Sequence, residues 1–166
     1  MAQHKAKQKL DEIDREFQSA FGRSYGGQIE EYRTEDADIV MVTMGSQTGA
    51  IREVVDIRRE KGEKVGLVKL RLLRPFPRER LAAALKGKKG VGVIDRNVCF
   101  GWQSGAVFME AKAALQDLPV RIPVTGFIAG IGGADCSIDM VERAVSITQL
   151  AAEGKPHQEI TWLNLE

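Results

Sequence analysis

Four times between Ile39 and Val145, a short apolar run is followed by a segment whose apolar residues recur at helical spacing. Ile39 to Thr43, Lys64 to Leu73 and Gly90 to Asp95 are the first three runs, and "RIPVTGFIAG" (121–130) is the fourth. Ile51, Val54, Val55 and Arg58 stripe the first helix, and Leu81, Ala84 and Leu85 the second. Val107, Phe108, Ala111, Ala114 and Leu115 mark the third, and Met140, Val141, Ala144 and Val145 the fourth. Runs that are apolar at consecutive positions must bury both sides of their pleat. A parallel sheet covered on both faces by its own crossover helices meets that demand, so the expected class is α/β.

Local signals punctuate this pattern. Gly62 and Gly87 end the first two helices, "RPFP" stops the second strand, and Ser104 and Ser137 stand where helix N-caps belong. Before the alternation begins, Leu10, Ile13, Phe17, Ala20 and Phe21 lie on one face of a helix that "FGRSYGG" interrupts. "QIEEYR" is short enough to be an edge strand. After Glu153 the chain breaks at Gly154 and Pro156, leaving a tail that would dock Trp162 and Leu163. The expected division is a connector helix and loop over residues 1–27, an α/β domain over 28–150 and a C-terminal arm over 151–166.

Composition narrows the function classes. A net charge of +1 gives no global field to attract nucleic acid or an acidic surface. No apolar run reaches the ~20 residues of a membrane-spanning helix, and "MAQHKAKQKLDEIDREF" lacks the apolar core of a signal peptide. Cytoplasmic location, with neither nucleic acid nor membrane as partner, is the expectation. Cys99 and Cys136 have no CxxC spacing, so an iron–sulfur cluster or zinc site would have to lie on another chain.

Two glycine-rich turns raise the question of phosphate binding. In "ADIVMVTMGSQTGAIREVV", the turn at Gly45, Ser46, Gln47, Thr48 and Gly49 joins a strand to a helix. It has neither GxGxxG spacing nor the lysine of a P-loop. A tight corner and an anion site on backbone N–H groups are its two readings. "FIAGIGGADCS" places Gly130, Gly132 and Gly133 in a second such turn, where close backbone packing competes with anion binding.

"VIDRNVCFGWQSG" follows a strand at the end where open sheets carry their functional loops. Asp95, Arg96 and Asn97 are candidate near-site residues, with a structural Asp95–Arg96 salt bridge as the alternative. Phe100 and Trp102 would face a partner or ligand, or fold back onto the core. Arg74, before the Pro-Phe-Pro turn, could pin a partner's carboxylate or remain solvated. The two histidines, His4 and His157, lie near the termini, which argues against Cys–His catalysis at Cys99. No carboxylate pair, metal triad or Ser–His–Asp set emerges from the sequence.

Taken together and in order, "EEYRTEDADIVMVTMGSQTG", "VGLVKLRLLRPFP", "VGVIDRNVCFGWQSGAVFMEAKAAL" and "FIAGIGGADCS" resemble the alpha chain of pyruvate:ferredoxin oxidoreductases. The resemblance runs from about Phe21 to Thr148 and concerns that chain's C-terminal domain, which is similar to the C-terminal domain of transketolases. It implies a three-layer α/β/α sandwich with a mostly parallel five-stranded sheet, the first strand antiparallel at the edge. It implies an enzyme complex that oxidatively decarboxylates a 2-oxoacid, of the pyruvate type, with coenzyme A, thiamine diphosphate, magnesium and iron–sulfur clusters, reducing ferredoxin. Those cofactors would lie elsewhere, since the pyrimidine- and pyrophosphate-binding domains are not visible here. The chain would then be a non-catalytic assembly domain with other subunits as partners, ferredoxin indirectly, and coenzyme A near the Asp95–Trp102 loop. The rival readings are a stand-alone nucleotide- or anion-binding module and a complete small enzyme.

Overall fold

The computed structural model describes residues 2–165. Six strands form one sheet in the order β1-β3-β2-β4-β5-β6. These are β1 (Ile29–Tyr32), β2 (Ile39–Met44), β3 (Val65–Leu70), β4 (Gly90–Asp95), β5 (Val124–Ile128) and β6 (Ile160–Trp162). All neighbours are parallel except β1, which pairs antiparallel with β3 at the edge, Ile29 opposite Leu70. The helices are α1 (Ala2–Phe21), α2 (Thr48–Glu60), α3 (Arg78–Leu85), α4 (Ala106–Leu115) and α5 (Ile138–Ala152).

The alternation of side chains along each strand divides the core in two. Val40 and Val42 of β2, with Val68 of β3 and Val91 and Val93 of β4, pack with Leu81 and Leu85 of α3 and with Val107, Phe108 and Ala111 of α4. Ile39 and Met41, with Leu67, Ile94 and Phe127, pack with Ile51, Val54 and Val55 of α2 and with Val141, Ala144 and Val145 of α5. The second layer also carries an ionic tie. Arg58 of α2, half-sequestered between the helices, pairs with Glu142 of α5 and Glu63, and donates to Ser146 at 2.8 Å.

Two expectations need correction, and α1 departs from the pattern of the other helices. The sheet has six strands where five were expected, because the docking tail after Gly154 itself adds a strand. Gly126, Phe127 and Ile128 of β5 pair with Ile160, Thr161 and Trp162, and Leu163 is buried in the α2–α5 layer. The apolar stripe of α1 does not enter the core. No residue of that helix is buried, and Ile13 and Phe21 are exposed. Polar contacts hold it instead: Asp11 accepts from Gln28 at 2.7 Å, Asp14 from the Tyr25 N–H at 2.9 Å, and Lys7 pairs with Glu79. Finally, Ser104 is not the cap of α4. The helix begins one residue later, behind Gly105, and its N–H groups find a different acceptor. Ser137 does cap α5, accepting from the Met140 N–H.

Candidate functional site at the carboxyl edge of the sheet

The chain leaves β2 toward β3 on one side and leaves β4 toward β5 on the other, although β2 and β4 are neighbours. Connections diverging from adjacent strands open a crevice outside their carboxyl ends, where open α/β sheets hold their ligands. Met44 and Asp95 end the two strands there, so the turn after Met44 and the loop after Asp95 face this crevice.

Arg96 bridges it. Its Nε donates to the Gly130 carbonyl at 2.9 Å and its Nη1 to Ser46 Oγ at 3.1 Å, tying together the loops after β2, β4 and β5. The residues singled out in three separate stretches of sequence therefore meet at one place. Gln47, almost fully buried, adds a second tie by donating to the Ala129 carbonyl at 2.9 Å. The Thr43 hydroxyl donates to the Ile94 carbonyl at 2.9 Å. Just after β6, Asn164 accepts the Gly130 N–H at 2.8 Å and donates to the Asp135 carbonyl at 2.9 Å.

These bonds bear on the two glycine turns. Ser46 serves Arg96, Gln47 serves Ala129, and the Thr48 hydroxyl donates back to the Gly45 carbonyl at 2.7 Å. The polar side chains of the turn are thus already engaged within the chain. Gly45 has φ 76°, in the left-handed region, whereas Gly49 sits inside α2 and has no such requirement. Gly130, Gly132 and Gly133 have φ 75°, 68° and 88° and fold a tight 3-10 turn, Ile131–Gly133, beneath Arg96. Both turns have the geometry of corners.

The residues at the end of β4 take separate tasks. Asp95 is buried and forms no pair with Arg96, because its oxygens are aimed the other way. Oδ1 accepts from the Val107 N–H at 3.0 Å and from Asn97 Nδ2 at 3.2 Å, and Oδ2 accepts from the Phe108 N–H at 2.9 Å. Asn97 Oδ1 takes the Ala106 N–H at 3.1 Å. Together these two side chains satisfy the first N–H groups of α4, the work expected of Ser104. The structural role of Asp95 takes a different form from the expected salt bridge. Burial pushes its carboxyl above the ordinary range, against the pull of the Phe108 and Val107 N–H groups and Asn97. Cys136, half-buried, has its thiol pushed up by burial, with Arg96 pulling the other way.

The aromatics behave oppositely. Phe100 is fully exposed and Trp102 is 66% exposed. The loop holding them is closed by a hydrogen bond from the Trp102 N–H to the Cys99 carbonyl and from the Cys99 N–H to the Ser104 carbonyl, both 2.9 Å. Folding back onto the core is excluded. Val98 and Ile131, not singled out from the sequence, are exposed at the same edge. Isolated aliphatic residues in glycine-rich loops carry no periodic signal that could have marked them. Arg74 lies apart, paired with Glu110 of α4 at 2.8 Å, so its carboxylate comes from its own chain.

The family model for pyruvate:ferredoxin oxidoreductase core domain II matches residues 37–141. The chain belongs to this family. It is 38% identical to pyruvate synthase subunit PorA of Methanosarcina barkeri over 99% of its length, covering 41% of that protein. It is 40% identical to ketoisovalerate oxidoreductase subunit VorA of Pyrococcus horikoshii over 99% of its length, covering 42% of that protein. It is also 39% identical, over 93% of its length, to the alpha subunit of an NADH-dependent phenylglyoxylate dehydrogenase of Aromatoleum evansii, covering 37% of it. The chain thus spans about two fifths of the curated relatives it matches. Among solved structures, an inactive split-gene transketolase superposes with a TM-score of 0.55 at 20% identity, over 74% of this chain and 40% of that one. The 2-oxoglutarate:ferredoxin oxidoreductase of Magnetococcus marinus gives 0.50 at 21% identity, over 79% and 21%. These last two likenesses establish the transketolase-like fold, in agreement with the resemblance read from the four motifs.

Proposed function

We propose that the chain is the C-terminal domain of a 2-oxoacid:ferredoxin oxidoreductase alpha chain, of the pyruvate type, and that its work there is assembly. The observation that carries this reading is the pair of rings at the carboxyl edge. Phe100 and Trp102 stand in solvent on a loop whose backbone is pinned, while the core beneath is already filled from both faces. Exposed aromatics held on a rigid loop are the residue types that anchor protein interfaces. The loop would bind another domain or subunit, with Arg96 and Asn97 fixing its base, and close one side of the substrate or coenzyme A approach.

In this reading the complex converts the oxoacid to its acyl-coenzyme A and reduces ferredoxin in the cytoplasm, and no reaction step runs through this chain. Among the described residues no group of three or more His, Cys, Asp or Glu could hold a metal ion. In the proposed assignment, thiamine diphosphate, magnesium and the iron–sulfur clusters belong to other parts of the complex. No described helix is long and apolar enough to cross a membrane. Residues 1–27 would serve as the connector to a preceding domain, 28–150 as the α/β unit, and 151–166 as the arm that β6 lays on its edge.

The relatives named for pyruvate, ketoisovalerate and phenylglyoxylate are similar to this chain to nearly equal degrees. That fits a domain that does not select the acyl group. The test is co-expression with the remaining subunits, followed by sedimentation, together with calorimetry of the isolated chain against thiamine diphosphate and magnesium. Co-sedimentation without cofactor binding by the isolated chain is expected. A stoichiometric cofactor site of micromolar affinity on the isolated chain would overturn the assignment.

A further inference from the structure

At the opposite, amino edge of the sheet lies a cavity of about 540 Å³. The turn from α3 to β4 and the loop from α4 to β5 form its walls, and Ala152 of α5 closes one side. Lys86, Lys88, Lys89 and Arg121 line it, and no carboxylate does. Carboxylates stand outside this lining, among them Asp38, the ion-pair partner of Lys89.

Two of the four cations already have work. Lys88 donates to the Thr34 carbonyl, and Lys89 pairs with Asp38 at 3.0 Å. Lys86 and Arg121, both exposed, have no hydrogen-bond or ion-pair partner among the described residues. Lys86 follows the last residue of α3, where the helix end contributes only a fraction of a negative charge. The neighbouring cavity, about 670 Å³, differs in lining: Glu31 and Glu35 line it together with Arg80, Lys86 and Lys88.

The carboxylate-free cleft also has an apolar wall. Val120 is 70% exposed, beside the exposed Pro119 and the half-buried Leu118. A small inorganic anion would answer the cations and leave Val120 in water. A polypeptide segment with carboxylates flanking an apolar side chain answers both at once.

We propose that this amino edge is a second docking surface, which takes an acidic, apolar-anchored segment of another polypeptide of the complex, with Lys86 and Arg121 as its charge contacts and Val120 as its apolar contact. The inference rests on the assembly role proposed above and adds a face of the domain remote from Phe100 and Trp102.

The experiment compares the wild-type chain with the double variant Lys86→Glu/Arg121→Glu in assembly with the remaining subunits, at low and high salt. A second chain carries Val120→p-benzoylphenylalanine for photo-cross-linking within the complex. The charge-reversed chain should melt as the wild type does yet assemble at least tenfold more weakly at low salt, with a flatter salt dependence, and the cross-link should map to a segment of net negative charge. Unchanged assembly of the variant, or a cross-link to a basic or neutral segment, would overturn the proposal while leaving the Trp102 interface standing. So would protection of Lys86 from acetylation by ADP or inorganic phosphate with assembly unaffected, which would make the cleft a small-anion site. A wild-type chain that fails to assemble at all removes the parent reading and this one with it. If the glutamate variant melts lower, Lys86→Gln/Arg121→Gln carries the same comparison without added charge.

Discussion

The Asp95 carboxyl group fills the space that a side chain on Gly105 would need: a Cβ built at 105 would overlap the Asp95 carboxyl carbon. The two residues lie ten positions apart and define how β4 hands over to α4. Asp95 ends the strand inside the core, turns its oxygens to the first N–H groups of α4, and so fixes where that helix starts. The loop between them, with Phe100 and Trp102, is held from both of its ends.

Gly105→Ala should therefore destabilise the fold, although its backbone, at φ −83° and ψ 164°, is open to alanine. The cost comes from displacing a buried carboxylate, on the order of 1–3 kcal/mol, as for other overpacked sites. Denaturant titration of the variant checks it. A stability equal to wild type would mean that the carboxylate moves aside freely and does not fix the start of α4.

Asp95→Asn should cost ~1–3 kcal/mol, because an amide can accept only one of the two helix N–H groups and turns a donor toward the other. The pH dependence has a definite sign. Burial makes the folded state hold the Asp95 proton more tightly than the unfolded chain, whose carboxyl titrates near 3.8. Between that value and the raised one the folded state binds more protons, so this group's contribution to stability falls as the pH rises through the window. The advantage of wild type over Asp95→Asn should shrink on raising the pH from about 3.8 and then level off. An advantage that grows with pH would show that the helix N–H groups outweigh burial.

Gly45 and Gly49 should respond in opposite directions to alanine. Gly45→Ala forces a side chain into the left-handed region at φ 76° and should lower stability by about 1 kcal/mol or more. Gly49→Ala adds a methyl in open space within α2 and should raise stability by roughly 0.5–1 kcal/mol. Thermal melts of the two variants decide this. Equal losses at both positions would contradict the corner geometry.

The sequence made most of the sheet readable because its signals are periodic. The stripes at Val107, Phe108, Ala111, Ala114 and Leu115 and at Val141, Ala144 and Val145 are buried as their spacing requires. What stayed hidden depends on contacts between distant segments. β6 follows a glycine- and proline-broken tail, and only pairing with β5 makes Ile160–Trp162 a strand. α1 has a helical stripe like the others, yet periodicity does not say whether a partner face exists within the chain. Asp95 as a cap was equally concealed. Capping rules look one to three residues ahead of a helix, and this acceptor comes from the preceding strand. At the candidate site, the exposure of Phe100 and Trp102 was one of two open readings, and the bridge from Arg96 to Ser46 and Gly130 needed the strand order to be known.

The central claim is that Phe100 and Trp102 hold the domain to the rest of an oxidoreductase. The most direct test is sedimentation of the reconstituted complex carrying Phe100→Ala/Trp102→Ala, alongside a melt of the isolated variant domain. Because both rings are exposed, the melt should stay close to wild type. Truncating interface anchors should weaken association by ~2 kcal/mol or more, with ferredoxin reduction falling in step. A variant domain that melts far lower, or a complex that assembles and reduces ferredoxin as the wild type does, would contradict the account.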